Sequence, residues 1–239
     1  MADRFFCPDT LVDGRAVLEG DEARHLSRVR RVGLGECVEL FDGRGSTYQA
    51  EVAATGRDRV ELIVRETTFS PRSGGGLLTL ATAVPKGDRF DWLIEKATEL
   101  GVDRLIPLVT ERSVVDPRSA KLDRLRRTVV EAAKQCRRAW LMDLDPPTPW
   151  ATVMGRSPES LRLIAHPGGR PIVSTGLNRA GQSAILAIGP EGGFTEAEVD
   201  SALGRGWLAV GLGATVLRIE TAALAGCSTL LALAETRRD

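Results

Sequence analysis

The chain has 239 residues, enough for one large domain or two modest ones with a sizeable core. Its 32 basic residues balance 32 acidic ones, so global charge gives no argument for a nucleic-acid partner, and any such surface must be local. The four cysteines, Cys7, Cys37, Cys136 and Cys227, form no CxxC pair and are joined only by His25 and His166, which argues against zinc or another metal centre. The start, MADRFF, lacks a signal-peptide apolar run. The longest apolar stretch, Ala222–Ala234, contains Ser228 and Thr229 and is too short to span a bilayer, so a soluble, cytoplasmic protein with no membrane partner is expected.

Residues 1–70 read as a β-rich unit. Strand-like runs Val38–Phe41 and Tyr48–Val52 flank the turn signal Asp42-Gly43-Arg44-Gly45, and Arg59–Val64 alternates as a third strand. Ahead of them EARHLSRVRR is a short helical candidate carrying Arg24, His25, Arg28, Arg30 and Arg31. A charge run of this kind ordinarily makes a solvated face. The turn-rich stretch Thr67–Gly76 marks a boundary, and the pattern then changes to alternating strands and helices over 77–239.

In the second part Leu77–Val84 reads as a buried strand. Asp88–Leu100 is an amphipathic helix with Phe90, Leu93, Ile94, Ala97 and Leu100 on one face, stopped by Gly101. A strand at Arg104–Val109 precedes the loop Thr110–Ser113. A second helix at Leu122–Cys136 turns Leu122, Leu125, Val129, Ala132, Ala133 and Cys136 inward. MDLDPPTPW (Met142–Trp150) reads as a proline-rich connector, and strands are expected at Leu161–Ala165, Ile185–Ile188 and Trp207–Val210. Such alternation predicts an α/β fold with a parallel sheet covered on both faces.

Two loops stand out. Ile185–Ile188 breaks into Gly189-Pro190-Glu191-Gly192-Gly193. A helix follows whose start carries a capping box, Thr195 with Glu198, and a hydrophobic staple, Phe194 with Val199. Trp207–Val210 breaks into a second loop, Gly211–Arg218, before a closing helix from about Glu220. Two glycine-bearing loops at the carboxyl ends of neighbouring strands predict a pocket, in which glycines let backbone approach a ligand or take positive φ. The closing helix, Thr221–Leu233, is apolar nearly all round and must be buried in the core or against another subunit.

IGPEGGFTEAEV followed by LGATVLRIETAAL resembles the knotted methyltransferase core of the SPOUT superfamily, and most nearly the bacterial 16S ribosomal RNA uridine-N3 methyltransferases. KGDRFDWLIEKATELGVDRLIPLVTERS and EAAKQCRRAW extend the resemblance, and HLSRVRRVGLGECVELFDGRGSTYQAEV resembles that family's amino-terminal, PUA-like RNA-binding β-barrel. The resemblance implies a SPOUT-type domain with a carboxyl-terminal trefoil knot, S-adenosylmethionine as cofactor and ribosomal RNA or the small ribosomal subunit as partner. It also implies an obligatory homodimer whose closing helices meet. It assigns the cofactor to His166, Ile188, Gly189, Pro190, Glu191, Gly192, Leu212, Gly213, Val216, Leu217 and Arg218. RNA contacts are expected from Arg24, His25, Arg28, Arg31, Lys86, Lys96, Arg112, Arg126, Lys134, Gln135 and Arg138. Where the family has a small residue and then a proline, this chain has Arg137 and Met142, so the loop after Cys136 is expected to differ.

Methyl transfer to a uridine nitrogen requires loss of the N3 proton, and cations near the base carbonyls would stabilise the resulting anion. Arg218 is the candidate for that role and Glu191 for loop binding or proton transfer. A tether from Arg218 to Glu220 or Glu191, and a structural role for His166, are the alternatives. A basic face on Arg118–Arg138 is either an RNA contact or a solvated surface. Two other functions compete. A catalytically inactive RNA-binding adaptor would keep the fold without intact loops. A nucleotide-binding oxidoreductase fails because Val216 stands at the third glycine position of a dinucleotide fingerprint.

Overall fold

The computed structural model describes residues 3–9, 11, 13–72, 76–114, 122–175 and 182–235. It divides into two compact units, Met1–Ser73 with Ala133–Leu141, and Gly74–Ala132 with Met142–Asp239. Arg118 and Lys121 of the expected basic face lie outside the described residues, as does part of the expected boundary stretch.

The first unit is a curled five-stranded sheet, a half-barrel, in the order β1 (Arg4–Phe6), β3 (Cys37–Phe41), β4 (Ser46–Thr55), β5 (Arg59–Phe69), β2 (Arg15–Glu19). Strands β3, β4, β5 and β2 pair antiparallel, and β1 runs parallel to β3. Strand alternation turns Leu18, Val38, Leu40, Val52, Val60 and Leu62 into one core with Phe5 and Leu26. Register shifts at Gln49/Ala50 and Val52/Ala54 bend the long β4–β5 ribbon, as bulges do. The helical candidate is α1 (Gly20–Arg24) continued by a wide π-helical turn, His25–Arg30, which ends at Arg31 with φ 55°. Strands β1 and β2 carry no sequence signal of their own.

The buried Arg4 anchors the distant segment Ala133–Leu141 of the same unit. Its guanidinium donates to the Ala133 and Arg138 carbonyls at 3.3 and 3.1 Å, pairs with Glu39 at 2.9 Å and lies 4.3 Å from the Phe41 ring centroid. Burial pulls its pKa below the usual arginine value, opposed by the Glu39 charge.

The second unit is built on a seven-stranded parallel sheet. Its order is β12 (Leu208–Gly211), β10 (Leu161–Pro171), β11 (Ala184–Ile188), β6 (Leu78–Ala83), β7 (Arg104–Val109), β8 (Asp143–Leu144), with β9 (Thr148–Pro149) also paired to β7. Every residue of β6 and β11 is buried, as helices on both faces require. Helix α2 (Arg89–Leu100) stops at Gly101, whose φ is 98°, and α3 spans Leu122–Cys136. Leu100 is exposed rather than inward and Thr98 takes the buried position; Cys136 is only half-buried.

Two expectations need correction. The stretch Met142–Trp150 is not a plain connector: Asp143–Leu144 and Thr148–Pro149 extend the sheet, and Trp150 begins helix α4 (Trp150–Arg156). Prolines suit that sheet margin because little ladder bonding is required there. Strand β10 continues past Ala165 to Pro171, because Ala165 and Arg170 both pair with Val210 and the residues between them bulge out. Helix α5 (Glu196–Gly204) precedes β12, and α6 (Ile219–Glu235) closes the chain. One face of α6 is buried through Ile219, Ala223, Cys227, Leu230 and Ala234, while Leu224, Leu231 and Leu233 on other faces are half-exposed. No helix among the described residues is long and apolar enough to cross a membrane.

Candidate functional site

The site lies in the second unit, at the bulge of β10 and the carboxyl ends of β11 and β12. A cavity of about 450 Å³ is walled there by three segments: Ala165–Pro167, Ile188–Phe194 and the loop Leu212–Leu217, with Val210, Ile219 and Ala222 closing it. That volume suits a small organic ligand, and the walls are mainly apolar with a few polar groups.

The first loop is held from several sides. A turn is closed by the Gly193 amide donating to the Pro190 carbonyl at 2.8 Å. A Cβ on Gly189 would stand 3.0 Å from the Phe194 ring, so glycine is favoured there by close approach rather than by φ. Phe194 is buried against Trp150, whose ring also meets Trp207 edge-on at 4.8 Å. The capping box forms as the sequence predicts: Thr195 Oγ1 accepts from the Glu198 amide at 3.2 Å and Glu198 Oε2 from the Thr195 amide at 2.8 Å. The other oxygen of Glu198 accepts from the Glu111 amide at 3.1 Å, and Arg112 donates to the Gly192 carbonyl at 2.7 Å. The loop after β7 therefore buttresses the glycine loop. In the second loop Gly213 has φ +141°, a conformation that a side chain would strain.

Of the residues assigned to the cofactor, His166, Ile188, Gly189, Pro190, Glu191, Gly192, Leu212, Gly213, Val216 and Leu217 all line this cavity. Arg218 stands between the lining residues Leu217 and Ile219 but does not itself line it, and its side chain is exposed. The alternative reading, a tether from Arg218 to Glu220 or Glu191, is not seen among the described residues; those acids are met by Arg89, which carried no sequence expectation. Arg89, at the start of α2, donates to Glu220 Oε1 at 3.4 Å and to the Lys86 carbonyl at 3.0 Å, and lies 4.0 Å from Glu191. It so links an acid of the first loop to the acid that begins α6. Glu220 is buried, and its Oε2 has no hydrogen-bond partner among the described residues. An arginine directly after Lys86-Gly87-Asp88, at a strand-to-helix turn, was the available signal. His166 sits in the β10 bulge, its Nδ1 accepting from the Gly168 amide at 3.1 Å, an assignment that puts the proton of the neutral ring on Nε2. Phe194, expected only as half of a hydrophobic staple, also lines the cavity, as do Thr215, Ile219 and Ala222, which carried no individual sequence signal.

The residues expected to touch RNA divide. In the first unit Arg24 is committed to Asp21 and Asp58, while Arg28 and Arg31 are exposed and make no ion pair among the described residues. His25 packs edge-on against Phe5. Lys134 departs from the expectation of a basic surface. It is buried, with Nζ 2.8 Å from Glu22 Oε1, because Glu22 also accepts the Phe6 amide and needs a cation in that interior position. Gln135 is exposed and Arg138 half-buried. In the second unit Lys96 lies 2.7 Å from both Glu95 and Glu99, whose hydrogen bonds raise its pKa. Arg126 pairs with Asp123, Lys86 is exposed, and Arg112 serves the loop as described.

Residues 76–231 match the family model described as an RNA methyltransferase domain, and residues 18–65 match that of the RNA methyltransferase PUA domain. Ribosomal RNA small subunit methyltransferase E of Synechocystis sp. is 32% identical over 234 residues, covering 96% of this chain and 77% of the relative. The Mycobacterium bovis protein of the same name is 34% identical over 236 residues, covering 93% and 89%. A crystal structure of ribosomal RNA small subunit methyltransferase E from Neisseria gonorrhoeae bound to S-adenosyl methionine matches with a TM-score of 0.88 at 30% identity, covering 98% of each chain. A half-barrel followed by a parallel-sheet domain is thus shared across the whole length, and the chain belongs to the RNA methyltransferase family, within it to the ribosomal RNA small subunit methyltransferase E group.

Proposed function

We propose that the protein transfers a methyl group from S-adenosylmethionine to the N3 atom of a uridine in small-subunit ribosomal RNA. The observation that carries this reading is the cavity between the two glycine loops, in a chain whose relatives are named ribosomal RNA small subunit methyltransferase E. The residues present fit the cofactor. Ile188, Leu212, Leu217 and Ile219 offer apolar wall for an adenine ring. The close backbone at Gly189 and Gly213 leaves amides and carbonyls for polar edges, and Glu191 places a carboxylate where a cationic ligand would welcome it. When bound, S-adenosylmethionine supplies an electrophilic methyl on a sulfonium centre.

The protein's own contribution is alignment, desolvation and charge. The buttressed loops fix their backbone groups before binding, which lowers the cost of holding the reacting atoms in line. Arg218, exposed at the rim and free of ion pairs among the described residues, is the cation available to an anionic uracil, while Arg89 is occupied with acids. The N3 atom is on the pairing edge of the base, so the uridine must be unpaired or flipped when it reacts. Among the expected contacts of the first unit, Arg28 and Arg31 make no ion pair among the described residues and have charge to spare for phosphates.

Three further features belong to this reading: a trefoil knot through the Leu212–Arg218 loop, a homodimer, and action in the cytoplasm, where ribosomal subunits assemble. The apolar, half-exposed side of α6 supports the dimer, since Leu224 and Leu231 gain by a partner's cover. The test is incubation with methyl-labelled cofactor and small-subunit RNA, naked and assembled, followed by nucleoside mass spectrometry. Label in N3-methyluridine is expected. Label confined to a ribose oxygen, a carbon or another base would overturn the proposed position, and no transfer with intact cofactor binding would favour the adaptor.

A further inference from the structure

Phe69 ends β5 with 61% of its surface exposed, the most exposed aromatic residue among those described. Its neighbours Thr67, Thr68, Ser70 and Pro71 are exposed too, and none is a large apolar residue. Phe69 meets the Trp140 ring edge-on, with centroids 6.3 Å apart at 74°. Trp140 is fixed in place: its indole N–H donates to the Ser70 carbonyl at 2.8 Å, and its backbone bridges Arg44. A Cβ on Gly45 would lie 2.7 Å from that ring, so the turn after Asp42 is shaped to accept a tryptophan. One guanidinium stands over the Trp140 ring, and a second arginine, Arg44, is bridged to Trp140 through backbone. The Arg72 guanidinium lies 5.1 Å from the Trp140 centroid, and Arg44 donates to the neutral Pro8 carbonyl at 2.5 Å and makes no ion pair among the described residues. All of these residues belong to the first unit.

We propose that Phe69, backed by Trp140 and flanked by Arg44 and Arg72, is a stacking subsite for an unpaired base of the RNA substrate. The inference rests on the ribosomal RNA reading above and extends it to a surface that none of the expected RNA contacts include. An open aromatic ring, held rigid by a second ring and set among cations, is the arrangement that single-stranded RNA uses for sequence-tolerant stacking. A protein interface asks for something else. Its core is a contiguous apolar patch, and a lone phenylalanine among threonines, serine and arginines does not provide one. Because Trp140 is anchored by the segment after α3, little side-chain ordering is left to be done on binding.

The experiment compares Phe69→Ala, Phe69→Leu and Phe69→Trp in the full chain, with small-subunit ribosomal RNA as naked RNA and as assembled subunits. Alanine and leucine should both weaken RNA binding, between about fivefold and about a hundredfold, with an unchanged salt slope, since no charge is lost. Tryptophan should bind as the wild type does. Cofactor affinity by calorimetry and thermal stability should stay constant in all three. Arg44→Ala should instead lower the salt slope by about 0.7–0.9 of a unit, one phosphate contact. Wild-type affinity in Phe69→Leu, or a change in oligomeric state in place of RNA affinity, would overturn the subsite. A wild-type protein that binds cofactor but neither form of RNA would overturn the substrate reading itself, a separate and recognisable failure.

Discussion

Replacing Arg89 by methionine tests whether one side chain couples the first glycine loop to the start of α6. The 4.0 Å contact to Glu191 joins two side chains that are 37% and 44% exposed and so contributes little, within about 1 kcal/mol. The contact to Glu220 is different. That carboxylate is 9% exposed, its Oε2 is already without a partner among the described residues, and Arg89 holds its Oε1 at 3.4 Å. Losing the cation from a fully buried pair costs about 3–5 kcal/mol. The long distance and the partial exposure of Arg89 let water substitute, which brings the expected loss to about 1–2 kcal/mol. For a protein of this size that lowers Tm by about 2–8 °C. Cofactor affinity should fall roughly tenfold, as the first loop loses its link to the start of α6. Calorimetry would measure both, and a double-mutant cycle with Glu220→Gln should give a coupling of about 1 kcal/mol. Additive effects in that cycle, with an unchanged Tm for Arg89→Met, would refute the reasoning.

Gly213→Val should weaken cofactor binding more than Gly189→Ala does, because a branched side chain at φ +141° strains the backbone whereas Phe194 can yield a few tenths of an ångström; equal affinities in isothermal titration would contradict this. Arg218→Lys should lower the single-turnover methylation rate by roughly a hundredfold to a thousandfold, with partial recovery at high pH where the uracil proton leaves unaided, while cofactor and RNA affinities hold. A normal rate would remove Arg218 from the chemistry. Burial pushes the Cys227 thiol up to about 12, whereas Cys37 is exposed, so iodoacetamide at pH 8 should alkylate Cys37 in the native protein and Cys227 only after unfolding. Peptide mass spectrometry reads the two sites, and equal labelling of both would show that α6 opens.

The sequence by itself determined the features that local physics specifies. The bounds of α3 and β7, the glycine stop of α2, the capping box at Thr195 and both glycine loops follow from periodicity, caps and turn residues whose partners lie within a few positions. The cavity-lining residues of the two loops were legible for the same reason, since each loop is one contiguous motif. Only the tertiary structure decided which charges meet. Lys134 looks like one more cation on a basic helix until Glu22, 112 residues away, claims it. Arg89 becomes part of the site because Glu220 stands 131 positions along the chain. The short strands at Asp143–Leu144 and Thr148–Pro149 have no pattern of their own and exist because β7 offers an unpaired edge. Likewise β10 runs on past His166 because Val210 pairs on both sides of the bulge. A single residue's partner in a distant segment is set by how the strands stack, and hydrophobic periodicity carries no information about that.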